Sequence, residues 1–154
     1  GELTFSFPLE LSGLLKDSSV FAKLDLEVMR AFGSKYAFAL YEEVSRRIGL
    51  SYQMVEDLSV QGLRDLLGVE DGKLTKVFNL TKKALGPALI EVNSITPYQV
   101  SIIPRKKGRK VTGFLMGWSI KDVPGMQQAY AELQRPKIGR RERLDGTSPS
   151  VVED

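Results

Sequence analysis

Apolar residues along this chain follow two periods, one near 3.6 residues and one of two, and the switches between them outline its elements. The helical period is clearest after Gly33-Ser34. Tyr36, Ala37, Leu40, Tyr41, Val44 and Ile48 make one stripe, Ser34 is the expected N-cap, Arg46 and Arg47 suit the helix dipole, and Gly49 is the stop. A second amphipathic segment starts at Ser59, with Val60, Leu63, Leu66 and Leu67 on its apolar face and Gly68 at its end. After the turn Val69-Glu70-Asp71-Gly72, a long helix is expected from Gly72 or Lys73, burying Leu74, Val77, Phe78, Leu85, Leu89 and Val92. Gly86-Pro87 lies inside it. Proline removes a donor and clashes with the preceding turn, which predicts a kink or a break into two helices.

The period of two recurs at residues 2–7 and, after a turn at Asn93–Pro97, at Tyr98–Ile103 and Val111–Ile120. The last strand sets Phe114, Met116, Trp118 and Ile120 on one face, and Gly108 can supply the positive φ of a hairpin tip. Phe21–Val28 alternates as well and reads as a strand or an extended connector, while residues 8–17 suit a short helix. Residues 51–58 fit a loop with a short strand, and the segment after Asp122 a short helix. The order of helix, turn, long helix and charged hairpin predicts an α+β fold, a winged helix-turn-helix with a small antiparallel wing. Three parts are expected: residues 1–20 as the remnant of a preceding domain, 21–122 as the winged helix, and 123–154 as a short helix and a flexible basic tail.

Composition narrows the function. A chain of 154 residues with 42% apolar and 27% charged residues can bury an ordinary globular core. The net charge of +3 says little by itself, but residues 105–110 carry five positive charges and no negative one. There is no cysteine and no histidine, which removes disulfides, thiolate chemistry, the usual zinc and iron sites, and every His-dependent nucleophile or nickase. No phosphate-cradling G-x-x-x-x-G-K-[ST] run is present, and adjacent carboxylates such as Glu42/Glu43 and Glu56/Asp57 point apart and read as solvated. The expectation is a protein that is not an enzyme, uses no cofactor or metal, and has no membrane span or signal peptide. It would be cytoplasmic. The chain opens at Gly1 without Met, as an excised piece of a longer protein would.

The basic positions then carry the functional reading. On an ideal helix Lys76, Asn79 and Lys83 share a face, flanked by Lys73 and Lys82, with Thr75 near the edge. Alone, this is the solvated side of an amphipathic helix. Arg105, Lys106, Lys107, Arg109 and Lys110, alone, would keep a sheet edge soluble. In a winged helix both groups face one duplex. Asn can then pair with adenine and Lys with guanine in the major groove, and the wing lies on phosphates or in the minor groove. Tyr36, Tyr41, Phe78 and Trp118 sit on apolar faces and read as core. The tail cations Arg135, Lys137, Arg140, Arg141 and Arg143 read as solvated or as added phosphate contacts.

Four segments, SKYAFALYEEV (34–44), LRDLLGV (63–69), KALGPALIEVNSITP (83–97) and RKKGRKVTGFLMGWSI (105–120), resemble the Rep_3 family of plasmid replication initiators, over about residues 28–122. The resemblance implies the second of two tandem winged helices, residues 2–16 being similar to the last strand and helix of the first. It also implies DNA contact through Lys73, Lys76, Asn79, Lys82 and Lys83 of the second helix and through Arg105, Lys106, Lys107, Arg109 and Lys110 of the wing. Some relatives carry an Arg-rich run in this helix where this chain has Thr81-Lys82-Lys83, and Lys lacks the bidentate fork. The implied partners are double-stranded DNA repeats (iterons) at a plasmid origin, the host initiator, the replicative helicase and a second copy of the chain. A winged helix that mediates protein interaction or dimerisation, and a winged-helix transcription regulator, are the competing readings.

Overall fold

The computed structural model describes residues 18–49 and 53–146. The strand and helix expected within residues 2–17 lie outside them. The first described element is a helix, α1 (Ser18–Ala31), where the alternation of Phe21–Val28 had predicted extended chain. The residues it turns inward are Val28 and, just beyond its end, Phe32, whereas Leu26, on the supposed apolar side of a strand, is exposed. A spacing of four therefore wins over the alternation, because the neighbouring helix offers a partner for one helical stripe only.

That neighbour is α2 (Lys35–Arg47). Its cap is the expected one: the Ser34 hydroxyl accepts from the Tyr36 and Ala37 amides at 3.1 and 3.4 Å. Ala37, Leu40, Tyr41 and Val44 are buried along the predicted stripe. The Tyr41 hydroxyl donates to the Asp25 carboxylate and so pins α2 to α1. Its ring stacks on Tyr98 with centroids 5.8 Å apart. Burial first, and then the Asp25 hydrogen bond, push the Tyr41 phenol far above its ordinary range.

Strand β1 (Val55–Ser59) leads directly into α3 (Val60–Leu67). The Ser59 hydroxyl accepts from the Gly62 amide at 2.8 Å, and Gly68 closes the helix at φ 72°, both as the sequence predicts. The second helix of the pair begins later than expected. Residues 73–76 are not helical; α4 (Val77–Asn79) runs into a π-helical turn, Leu80–Leu85, and then into α5 (Gly86–Ile95). The Gly86 amide donates to the Thr81 carbonyl, five residues back, one position before Pro87, which has no amide to give. The predicted irregularity at Gly86-Pro87 is thus a widened turn within a continuous helical run. The extra residue shifts the buried set to Leu80, Ala84, Leu85, Ala88, Val92 and Ile95.

Strands β2 (Tyr98–Lys107) and β3 (Lys110–Ile120) complete a three-stranded antiparallel sheet in the order β1-β3-β2. Val100, Ile102, Phe114, Met116 and Trp118 form its buried face, while Ile120, expected beside them, is exposed at the strand end. Helices α2, α3 and α5 supply the opposing side of the core. Gly113 is where β1 comes closest: a Cβ there would lie 2.6 Å from the Leu58 carbonyl oxygen, so a side chain would push the strands apart.

After Asp122, which caps it, α6 (Val123–Gln134) packs on α5. The segment predicted as a flexible tail contains a further helix, α7 (Arg140–Gly146), at the end of the described residues. The Arg140 guanidinium is buried. It meets Glu132 at 2.9 Å and donates to the carbonyls of Ala31, Glu132 and Arg135 at 3.2, 3.0 and 3.1 Å. Lys137 donates to the Arg30 carbonyl at 3.3 Å. Two of the tail cations therefore satisfy orphan carbonyls at the C-terminus of α1.

Candidate nucleic-acid interface

The turn between α3 and α4 determines where the basic residues sit. It carries two left-handed residues, Gly72 at φ 83° and Leu74 at φ 49°. The second is unusual for a branched side chain and needs external support. Arg64, buried in α3, gives it: one guanidinium nitrogen donates to the Leu74 carbonyl at 2.8 Å and another to the Glu70 carbonyl at 3.0 Å. Arg64→Ala is expected to lower stability by about 2 kcal/mol, since two charge-assisted bonds vanish and a special backbone conformation loses its anchor. An unchanged urea midpoint would mean that the turn holds without Arg64.

Glu91, Asn93 and Thr96, in the run EVNSITP (91–97), perform a similar task at the other end of the long helix. Both Glu91 carboxylate oxygens accept from the Gly33 amide at 3.0 Å, tying α5 to the start of α2. The Asn93 amide accepts from the Val100 N–H at 2.7 Å and donates to the Val100 carbonyl at 2.9 Å, so this side chain pairs with β2 as a strand would. Thr96, fully buried, donates to the Val92 carbonyl and accepts from the Tyr98 amide. The Lys121 ammonium donates to the Asn93 carbonyl, and its burial lowers its pKa to about 8. These residues orient the helix against the hairpin.

On the exposed side, Lys73, Thr75, Lys76, Lys82 and Lys83 are solvent-facing and Asn79 is half-buried. They do not form the single helical face that ideal spacing predicts. Lys73 lies in the turn, 3.5 Å from Glu70, Lys76 is the residue preceding α4, and the π turn, which rotates less per residue than an α-helix, changes the phase between Asn79 and Lys83. Phe78, expected in the core, is 70% exposed among these lysines.

The wing is longer than its charged tip. Pairing of β1 with β3 ends at Ser59 and Gly113, whereas β2 and β3 remain paired out to Lys107 and Lys110. Beyond the sheet the hairpin is therefore a two-stranded ribbon, with a register shift between Arg105 and Lys106 and a tip at Gly108, φ 64°. Ser59 is at once the partner of the glycine at the ribbon's root and the cap of α3, which fixes the wing relative to the helix pair. Lys106, Lys107, Arg109 and Lys110 are exposed along the ribbon. Arg105 differs, because its guanidinium meets the Asp57 carboxylate of β1 at 2.6 Å.

A helix pair joined by a braced turn, followed by an antiparallel hairpin that outruns its sheet, defines a winged-helix domain. Residues 59–118 match the family described as initiator Rep protein, WH2. Over those residues the chain is thus similar to the second winged-helix domain of replication initiators of the Rep_3 family. No curated protein matches the chain. Among the described residues, no cluster of acidic side chains could hold a metal ion, and no helix is long and apolar enough to cross a membrane.

Proposed function

We propose that this domain binds double-stranded DNA at the repeated origin sites (iterons) of a plasmid and so helps to start its replication, without covalent chemistry and without a cofactor. The observation that carries this reading is the pairing of an acid-free basic run, 73–90, which covers the turn and most of the second helix, with a cationic ribbon rooted at the same residue that caps α3. Lys76, Asn79 and Lys83 are the base-reading candidates, and Lys73, Lys82 and the wing cations the phosphate contacts. Arg105 is the weakest wing contact, because Asp57 already offsets its charge. Recruitment of a host initiator and a replicative helicase, and pairing with a second copy, belong to the same proposal and follow from the family rather than from this site. The setting is the bacterial cytoplasm.

Selection from a randomised duplex pool at low salt tests the proposal directly. An enriched motif, repeated in tandem near a plasmid origin, is the expected result. Lys83→Ala should relax specificity at one position, whereas Lys107→Ala should weaken all sequences alike and lower the log–log salt slope by about 1. A monomer–dimer equilibrium by light scattering with no retention of any duplex would instead favour a protein-interaction module. Retention with no repeat near an origin would favour a transcription regulator.

A further inference from the structure

Phe78 is the least expected residue on the candidate interface. Its ring is largely exposed, although the surrounding core accommodates Phe114, Met116 and Trp118 almost completely. The Lys82 ammonium lies 5.6 Å from the ring centroid, so one ring face is already occupied by a cation. Lys76 precedes it by two residues and Asn79 follows it. An apolar protein surface brought against this ring would have to strip water from the neighbouring ammonium groups and return no opposite charge. The fitting partner is anionic and yet presents a small apolar group at the bottom of a groove. The DNA major groove has this chemistry: phosphates line its edges and the thymine C5-methyl is the apolar group on its floor.

Resting on the DNA-binding reading above, we propose that Phe78 is a specificity-determining residue that reads the C5-methyl of one thymine in the bound site, with Lys82 held over its ring and directed to the adjacent phosphate. The contact would add sequence information that lysines alone supply poorly. A lysine is a point charge, satisfied by several acceptors, whereas a methyl group distinguishes thymine from every other base of ordinary DNA.

The test replaces each thymine of the selected duplex in turn by deoxyuridine, which removes only the methyl group. The unaltered protein is expected to lose about fourfold in affinity at one position, the worth of one buried methyl. Phe78→Ala should bind thymine and uracil equally at that position while retaining the thermal unfolding midpoint, since the side chain is exposed. Phe78→Leu should recover part of the discrimination. Sequence-selective binding that is indifferent to every thymine methyl would overturn the role of Phe78 and leave the DNA-binding reading standing. So would unchanged discrimination by Phe78→Ala. Absence of any sequence-selective binding would overturn both.

Discussion

Changing Lys106, Lys107, Arg109 and Lys110 together to alanine is expected to lower DNA affinity about a thousandfold near 0.1 M salt and to reduce the log–log salt slope by about 3.6. Each of the four side chains would neutralise one phosphate, with a slope contribution of about 0.9 apiece. Their position suits them to that role. The ribbon runs past the last pairing with β1, so these side chains are exposed on both strands and make no ion pair among the described residues. Truncating them removes charge without opening the core, and stability should stay within about 0.5 kcal/mol of the starting protein. Fluorescence anisotropy on one duplex over a salt series gives both numbers. A slope that does not change would mean that the wing stays clear of the backbone, and the interface would then have to be confined to the helix. The contrast with Arg105→Ala is informative, because its Asp57 partner predicts a smaller change in slope than Lys107→Ala.

The largest loss of stability is expected from Glu132→Gln, at about 3 kcal/mol. Glu132 accepts from Arg140 at 2.9 Å and from Arg143 at 2.5 Å, and the Arg140 side chain is only 4% exposed. Removing the carboxylate leaves a buried guanidinium without its counter-charge, which costs far more than the loss of a surface pair. The same arrangement sets a pH dependence. Burial by itself would raise the Glu132 pKa, but hydrogen bonds from Arg143 and Arg140 outweigh it and hold the carboxyl below its ordinary 4.5. A carboxyl depressed in the folded state stabilises the fold at pH values above 4.5 and loses that contribution as pH falls through its lowered value. Urea unfolding followed from neutral pH downward should therefore show a steeper acid decline for the starting protein than for Glu132→Gln. Identical curves would mean that α7 is not anchored through this carboxylate.

The anchoring of α7 also shows where sequence patterns stop. Arg140 and Arg143 lie in a stretch poor in apolar residues, and such composition reads as tail because hydrophobic periodicity is its main structural signal. Their order comes from buried ion pairs and from carbonyls at the end of α1, more than 100 residues earlier in the chain. Nothing in a local window records that Glu132 and Ala31 will be within reach. The helical state of Phe21–Val28 has a related origin. Alternation over eight residues fits a strand, and only the docking of α1 against α2, with Asp25 on Tyr41, selects the helical stripe.

The candidate site divides along the same line. The identity of the basic residues, the wing tip at Gly108, the caps at Ser34, Ser59 and Gly68 and the irregularity near Gly86-Pro87 are all local, and the sequence by itself determined them. Caps, turns and charge runs are written in a few adjacent residues. The tertiary structure decided how those residues are displayed. It delayed the second helix to Val77 by bracing the turn with Arg64, and it re-phased Lys82 and Lys83 through a π turn. It turned Phe78 outward and set Arg105 against Asp57. Each of these depends on partners distant in the chain or on a change in helical pitch, and a pattern read at one fixed period carries neither.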